Sequence, residues 1–328
     1  MQTALAGETR FEHATYGFGD RYSTVEPLPY IVSLGDASIK YYTLFSGFRQ
    51  EFSEEKREKR RRNMQKRAKL GVIGGGFMAQ AIISGAIRTG FLRPEEIIVS
   101  EPDEQKQRLL AEHGVGVCND NCRLSTQCDY LLFAVKPQVF PAVAQEIRGA
   151  ALPVLISIMA GKTIAAISQA TGANRIARVM PNLPCSVGAG MSGVDTSLLS
   201  EQDRVFVRGL FASVGEVVEV EERLLNAVTG VSGSGPAYVY LFLRALVQAG
   251  VKQGLSEEQA SKLASQTILG GMEMLRRTGK SPDALIEAVS SKGGTTVAAL
   301  DSFAADDFTG SVERAVDAAV RRAEELSK

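Results

Sequence analysis

Three small residues at fixed spacing, Gly74, Gly76 and Ala79, form the stretch of this sequence best suited to chemistry. They follow a short apolar run, residues 70–73, and precede a run of helical character, residues 80–90. Between a strand and a helix, G-x-G-x-x-A allows a tight turn, a close approach of backbone to a pyrophosphate, and close helix–strand packing. The free N–H groups and the positive dipole end of the helix then face the phosphates. The pattern predicts a dinucleotide-binding site.

A second apolar run, residues 97–99, ends in Ser100 and Glu101. In such a site an acid at this position accepts hydrogen bonds from the ribose 2′-hydroxyl, whereas a 2′-phosphate usually needs a basic partner. Glu101 therefore favours NADH. The alternative is that Glu101 turns outward and leaves Ser100 and nearby backbone to hold the phosphate. We expect NADH to be used at least as well as NADPH.

Three more apolar runs have the pattern of buried parallel strands and end in small, proline or polar residues. They are residues 130–135, followed by Lys136 and Pro137; residues 154–158, followed by residues 159–161; and residues 176–180, followed by Pro181 and Asn182. Ligands bind outside the carboxyl ends of strands in an open α/β sheet, so these residues should line one edge. The alternation of strands and helices predicts a doubly wound parallel sheet, an N-terminal Rossmann domain over residues 69–221.

Residues 222–328 show no further strand pattern and are predicted to form an all-helical dimerisation and substrate domain. Ser256 and Gln259 have the spacing of a capping box, and Ser281 precedes Pro282 at the start of another helix. The region is too apolar to be covered by one Rossmann domain. We therefore expect a homo-oligomer, a dimer or a multiple of dimers.

Two glycine-rich turns in this region, Ser232–Pro236 and Ser290–Thr296, each precede a helix. Successive backbone N–H groups at such a turn form an anion-binding nest. The alternative is a flexible loop with Ser and Thr as helix N-caps. The presence of two such turns favours a site for a substrate carboxylate.

The candidate acid–base groups are few. Alcohol oxidation by a nicotinamide enzyme usually needs a His or Lys base. The only histidines are His13 and His113, His113 lies at the end of a predicted helix, and the strand ends offer only Lys136. Reduction of a protonated imine requires fewer catalytic groups than alcohol oxidation. The protein must only hold the imine beside a hydride donor and hydrogen-bond the product amine. The hydroxyl of Thr296, with neighbouring amides, is suited to that task.

Six segments, in order, resemble the motifs of the pyrroline-5-carboxylate reductases. They are VIGGGFMAQAI (72–82), AVKPQ (134–138), SIMAGKTI (157–164), RVMPNLPCSVGAGM (178–191), AVTGVSGSGPAYVY (227–240) and SSKGGTTVAAL (290–300). The resemblance covers residues 69–328. It implies reduction of the cyclic imine 1-pyrroline-5-carboxylate to L-proline with NADPH or NADH. It also implies a Rossmann domain followed by a helical domain that interleaves into a dimer, with dimers often forming a decamer.

By position, the resemblance places cofactor contacts at Gly74, Gly76, Phe77, Met78, Ser100, Glu101, Asn121, Ala134, Val135, Lys136, Pro137 and Ala160. It places substrate contacts at Ser291, Gly293, Gly294, Thr295 and Thr296, with Thr296 as the catalytic hydroxyl near the ring nitrogen and the amides of Gly294 and Thr295 as donors. Three positions depart from the family. Lys292 stands where Pro is usual, Leu183 where Thr is usual, and Glu101 is unlike the Ser or Arg that often supports NADPH.

Two rival functions remain open. One is a related imine or β-hydroxyacid dehydrogenase, which needs a lysine or another acid–base group in the helical domain; Lys292 is the only candidate in a site loop. The other is a protein that binds NAD(P) without turnover, against which the intact loop Gly293–Thr296 argues.

Composition gives no reason to expect a nucleic-acid or membrane partner, because the formal net charge of the 328 residues is zero and no apolar run reaches transmembrane length. The four cysteines form no C-x-x-C pair, so no metal site is expected, and we expect reduced thiols and a cytoplasmic protein. Residues 1–68 lack periodicity, carry a charged run at residues 54–63, and have no family counterpart. We expect a disordered extension, or a true start at Met64.

Overall fold

The structure, a computed structural model, describes residues 67–327. The expectations for the N-terminal extension, including a start at Met64, lie outside the described residues, apart from Arg67 and Ala68. Ala68 already belongs to the first strand, so the sheet begins one residue before the expected boundary. The Arg67 guanidinium lies 2.7 Å from the carboxylate of Asp129 on a neighbouring strand.

A sheet of eight strands forms the first part of the described chain. In chain order they are β1 (Ala68–Ile73), β2 (Ile97–Ser100), β3 (Gly116–Cys118), β4 (Cys128–Phe133), β5 (Val154–Ser157), β6 (Ile176–Met180), β7 (Gly190–Asp195) and β8 (Gly215–Glu219). Their order across the sheet is β3-β2-β1-β4-β5-β6-β7-β8, and only the β6–β7 pair is antiparallel. The chain reverses its direction of travel across the sheet between β1 and β4. The carboxyl ends of β1 and β4 therefore meet at the switch point where such sheets bind ligands.

Helices cover both faces of the sheet. They are α1 (Phe77–Arg88), α2 (Glu104–Glu112), α3 (Asn121–Thr126), α4 (Phe140–Ile147), α5 (Ile164–Thr171) and α6 (Glu201–Ala212). One core cluster joins α1 and α6 to one face, with Ile82 and Phe211 fully buried. A second cluster joins α3, α4 and α5 to the other face, with Leu124, Ile147 and Ile167 buried. The predicted Rossmann-type domain is confirmed.

The rest of the described chain is helical, as predicted. After a 3₁₀ turn at Glu222–Leu224 come α7 (Leu225–Val228), a π-helical turn (Thr229–Gly233), α8 (Gly235–Lys252), α9 (Glu257–Thr278), α10 (Pro282–Val289), α11 (Thr295–Ala305) and α12 (Phe308–Ser327). The predicted capping box begins α9: the Gln259 amide donates to the Ser256 hydroxyl at 3.2 Å, and the Ser256 amide donates to the Gln259 side chain at 2.9 Å. None of the helices between residues 67 and 327 combines the length and apolarity needed to cross a bilayer.

The sheet contains three strands that the sequence did not predict, and two of them run in the opposite direction to the other strands. Strands β3, β7 and β8 were not expected. β7 and β8 are parallel to each other and run opposite to the other six strands, so the sheet is mixed rather than parallel. β3 has only three residues, and β7 carries Gly190 and Gly193, which are poor strand formers. A Cβ on Gly193 would lie 2.7 Å from a methyl carbon of Val228, so this glycine lets the helical region pack closely on the sheet. These contacts are long-range and leave no periodic signal.

Candidate active site

Gly74 brings the ends of three strands together. Its φ is +97°, a region that L side chains rarely adopt, and an added Cβ would lie 3.0 Å from the carbonyl oxygen of Ala134 and 3.0 Å from Cγ1 of Val135. The Gly74 amide donates to the Ser100 carbonyl at 2.9 Å, and the Ala134 amide donates to the Ile73 carbonyl at 2.9 Å. Four of the predicted cofactor residues thus adjoin one another at the carboxyl ends of β1, β2 and β4.

The N-terminus of α1 is open. Gly76 caps it with extended backbone and no side-chain hydrogen bond, and the first turn has no acidic residue. No atom of residues 67–327 lies within 4 Å of a Cβ built on Gly76. Phe77 is exposed, and Met78 packs partly against the core. By contrast, side chains of Asp103 and Ser200 cap α2 and α6. The first-turn amides of α1 therefore remain available to an anion.

Glu101 lies beneath this glycine loop. Its side chain is only 7% exposed, and one carboxylate oxygen accepts the Gly75 amide at 2.7 Å. Ser100, at the end of β2, is also buried. The structure thus places Glu101 and Ser100 next to the loop, and their contact with a ribose stays a prediction.

The remaining predicted cofactor residues lie along the same edge. Lys136 is exposed just after β4 and forms no ion pair within residues 67–327, Pro137 follows it, and Ala160 is exposed after β5. The Nδ2 of Asn121 donates to the Glu146 carboxylate at 2.7 Å, whereas its Oδ1 is buried without a partner among the described residues. A buried acceptor without a donor is uncommon, so this oxygen is suited to a ligand hydroxyl or amine.

Asn182 joins the sheet to the helical region. Its Nδ2 lies 3.2 Å from the Ser232 carbonyl oxygen and 3.3 Å from the Ser232 hydroxyl, and its Oδ1 accepts the Met191 amide at 2.9 Å. The turn predicted at Ser232–Pro236 is part of the π-helical turn and the start of α8. One side chain therefore holds this turn at the carboxyl end of β6.

Glu222 forms a second junction, which the sequence did not predict. Its Oε1 accepts the Ile164 amide at the start of α5 at 2.6 Å and lies 3.3 Å from Nη1 of Arg178 on β6. Burial lowers the pKa of Arg178, and the facing carboxylate of Glu222 opposes that shift. Residues 178 and 222 are 44 positions apart, and no local pattern marks either as a partner of the other.

The predicted substrate loop leads into α11. Gly293 has a φ of +71°, and the Gly294 amide donates to the Ser291 carbonyl at 2.9 Å, so that amide is already engaged. Thr295 and Thr296 form the first turn of α11, whose N-cap makes no side-chain hydrogen bond and whose first turn has no acid. Neither threonine hydroxyl is hydrogen-bonded within residues 67–327. This turn offers amides and hydroxyls together.

Within the described part of the chain, the substrate loop makes no bond to the cofactor edge. Among the described residues, no hydrogen bond or ion pair links Ser291–Thr296 to any predicted cofactor residue. Helices α8, α10 and α11 bury no residue in the described part of the chain. These helices expose large apolar side chains, among them Leu241 on α8, Ile286 on α10 and Phe303 on α11.

The residues at the sheet edge fit a dinucleotide. The space above Gly76 and the uncapped start of α1 suit a pyrophosphate, and the unpartnered Asn121 oxygen and the buried Glu101 carboxylate supply acceptors for hydroxyl groups. The fold and this edge define a Rossmann-type dinucleotide-dependent oxidoreductase with a helical C-terminal domain.

Family comparisons identify the class more closely. The family model described as pyrroline-5-carboxylate reductase dimerisation matches residues 222–326, and the model described as NADP oxidoreductase, coenzyme F420-dependent, matches residues 69–161. A pyrroline-5-carboxylate reductase of Synechocystis sp. is 43% identical over 262 residues, covering 79% of this chain and 98% of the relative. The Arabidopsis thaliana reductase is 37% identical and is covered to 96%. The chain belongs to the pyrroline-5-carboxylate reductase family.

Solved structures agree with this assignment. The pyrroline-5-carboxylate reductase of Coxiella burnetii matches with a TM-score of 0.75 at 33% identity, covering 80% of this chain and 100% of that one. The Plasmodium falciparum pyrroline carboxylate reductase, solved with NADP bound, matches with a TM-score of 0.71 at 31% identity, covering 80% of this chain and 99% of that one. The resemblance found in the sequence motifs is confirmed.

Proposed function

We propose that this protein reduces 1-pyrroline-5-carboxylate to L-proline, with NADH or NADPH as the reductant. The observation that carries the proposal is that the chain covers 98% of a 43% identical pyrroline-5-carboxylate reductase, with both the glycine loop and the substrate loop in place. A bound dihydronicotinamide supplies the hydride that converts the imine carbon to an amine carbon. The protein's task is to hold the imine, orient it and exclude water.

The cofactor is assigned to the carboxyl edge of the sheet. The α1 amides and the space at Gly76 hold the pyrophosphate, Glu101 and Asn121 face the adenosine portion, and the ends of β4 and β5 border the nicotinamide. The proposed set is the one predicted from the sequence: Gly74, Gly76, Phe77, Met78, Ser100, Glu101, Asn121, Ala134, Val135, Lys136, Pro137 and Ala160.

The substrate is assigned to the start of α11. Within residues 67–327 the amides of Thr295 and Thr296 donate no hydrogen bond. They suit the substrate carboxylate, since they lie at the positive end of a helix without a capping side chain. The Thr296 hydroxyl accepts from, or donates to, the ring nitrogen as its protonation changes. Ser291 and Gly293 shape the loop, and the Gly294 amide stabilises it from within.

Further copies of the chain are the proposed protein partners. The family's dimerisation region is present. Among the described residues of one chain, nothing covers the apolar faces of α8, α10 and α11 or the side chains of Leu269 and Met272 on α9. We propose a dimer or a multiple of dimers in which the partner covers these faces. A cytoplasmic location and the lack of a nucleic-acid or membrane partner stay predictions from the sequence.

The test is an assay of the purified full chain with 1-pyrroline-5-carboxylate and each reduced cofactor. We expect consumption of reduced cofactor matched by an equal amount of L-proline, identified by chromatography. A panel of β-hydroxyacids with the oxidised cofactors distinguishes the rival dehydrogenase. Cofactor binding without turnover of any substrate would instead indicate a protein that binds NAD(P) but is not an enzyme.

A further inference from the structure

Glu101 is a buried, fixed carboxylate. Its side chain is 7% exposed, Oε2 accepts the Gly75 amide at 2.7 Å, and Oε1 accepts the Asp103 amide at 3.1 Å. Its own carbonyl accepts from the Gln107 side chain at 2.5 Å. The carboxylate is therefore tied both to the glycine loop and to the start of α2.

The loop is shaped around this carboxylate. A Cβ on Gly75 would lie 3.2 Å from Oε2 of Glu101, 3.3 Å from its Cγ and 2.7 Å from Cδ1 of Leu110. Gly75 is thus the residue that lets the acid lie directly against the loop. Turning Glu101 outward, the alternative open at the sequence level, would leave the Gly75 and Asp103 amides without these acceptors.

The charges around Glu101 do not favour a phosphate. Lys106 Nζ lies 3.9 Å from Glu101 Oε1 and 3.8 Å from Asp103 Oδ2, so one ammonium faces two carboxylates. Arg108, two residues further on, pairs with Glu104 at 3.6 Å. The end of β2 therefore carries a net negative charge, and a 2′-phosphate brought there would be repelled.

We propose that Glu101 makes this chain select NADH over NADPH. The inference rests on the proposed function for the reaction, but it concerns the binding of the dinucleotide itself. A ribose 2′-hydroxyl donates to the carboxylate, whereas a 2′-phosphate has no proton to donate when fully ionised and places like charges together. Because backbone amides hold the carboxylate, the site cannot relieve the repulsion by a side-chain rotation alone.

The first experiment measures the dissociation constants of NADH and NADPH for the full chain by calorimetry, without substrate, beside kcat/KM for each cofactor. We expect NADH to bind at least about tenfold more tightly than NADPH, a difference of about 1.4 kcal/mol. Equal or tighter binding of NADPH by the wild-type chain would overturn the proposal. If NADH is selected in binding but neither cofactor supports imine reduction, the proposed function fails and this inference stands.

Variants assign the preference to Glu101. Glu101→Ser should bring the two dissociation constants to within about threefold of one another, roughly 0.6 kcal/mol. Glu101→Gln keeps a side-chain oxygen for a loop amide while removing the charge, so it should shift the ratio the same way even if the serine variant folds poorly. Glu112→Ser, which removes an exposed acid at the C-terminal end of α2, should leave the ratio unchanged. If Glu101→Gln leaves the ratio of the two dissociation constants unchanged, another group determines the preference between NADH and NADPH.

Discussion

Thr296 carries the side-chain chemistry proposed for this site. Its hydroxyl is unengaged within residues 67–327 and stands in the first turn of an uncapped helix. In Thr296→Ala the ring nitrogen loses a hydrogen-bonding partner, which typically costs about 1–3 kcal/mol. We expect kcat/KM to fall roughly 5- to 150-fold, measured with saturating cofactor.

Two matched variants separate this role from packing. Thr296→Ser keeps the hydroxyl and should retain most of the activity. Ser302→Ala removes an exposed hydroxyl further along α11 and should have no effect. Wild-type efficiency in Thr296→Ala would remove this hydroxyl from the mechanism.

Gly76 should matter to the cofactor and not to the fold. Its backbone conformation suits any residue, and nothing lies near an added Cβ, so Gly76→Ala should leave the melting temperature unchanged. The methyl group would occupy the space proposed for the pyrophosphate. We expect NADH affinity to fall at least about tenfold, or about 1.4 kcal/mol, by calorimetry.

Gly85 provides the opposite case on the same helix. A Cβ there would overlap the Val214 side chain, so Gly85→Ala should lower the melting temperature with a smaller direct effect on affinity. Unchanged NADH affinity in Gly76→Ala would mean that the dinucleotide does not approach this glycine.

For individual residues, contacts between positions close together in the sequence could be predicted, whereas contacts between distant positions could not. The glycine loop could be predicted from the sequence because its turn, its helix start and its small residues lie within a few positions of one another. Two hydrogen bonds connect residues 50 and 58 positions apart: Asn182 to Ser232, and Glu222 to Ile164. No local sequence pattern indicates either bond. The tie between Glu101 and Gly75 was also not predictable in detail, although the acid at the end of β2 was.

At the scale of the elements, one prediction concerns the contact between the end of β6 and the turn at Ser232. Asn182→Ala removes the donor to Ser232 and the acceptor for Met191, so the turn loses its attachment to the sheet. We expect kcat to fall about tenfold or more while the dissociation constant of NADH changes little, because the α1 loop is untouched.

Asn182→Asp tests which bond matters. Aspartate keeps the acceptor for the Met191 amide but turns an oxygen toward the Ser232 carbonyl, which repels it. It should therefore resemble Asn182→Ala in kcat. If both variants lose only thermal stability, Asn182 holds the fold together without positioning the turn for catalysis.

The elements themselves were predictable where their signals are strong. The apolar runs at residues 130–135 and 154–158 predicted β4 and β5, whose observed bounds are Cys128–Phe133 and Val154–Ser157, and α9 begins at the predicted capping box. The antiparallel β7 was missed because its two glycines fit against Cys185 and Val228, a packing requirement that no periodicity encodes. Ser232–Pro236 was predicted to be a glycine-rich turn that forms an anion-binding nest. Its π-helical start was not predicted, because glycine-rich sequence is compatible with several backbone conformations.

The whole molecule should depend on association. Leu269 is 63% exposed and Met272 is 55% exposed on α9 in one chain. Burying such side chains in an interface contributes about 1.5–3 kcal/mol each, and a charge there would oppose association. Leu269→Glu and Met272→Glu should lower the mass measured by light scattering, whereas Leu109→Glu, the same change at an exposed leucine of α2, should not. A wild-type chain that is monomeric and fully active would contradict the proposed assembly.

The final prediction is that the partner chain completes each active site. The substrate loop has no hydrogen bond or ion pair to the cofactor edge within the described residues of one chain, and the helices around it are uncovered. Gly76→Asp places a carboxylate where the pyrophosphate would lie, and Thr296→Asp places one beside the substrate carboxylate, so each variant alone should be nearly inactive. In mixed assemblies carrying both variants, a site built from two chains can combine an intact cofactor edge with an intact substrate loop. Activity should then return, up to roughly half of the wild-type level in a heterodimer, because one of its two sites is intact.

The two variants are co-expressed with different affinity tags, and assemblies that carry both tags are isolated before the assay. If one chain supplied both halves of a site, every site in such an assembly would hold one defect. Mixed assemblies as inactive as the separate variants, despite normal folding of both, would place the complete site within a single chain.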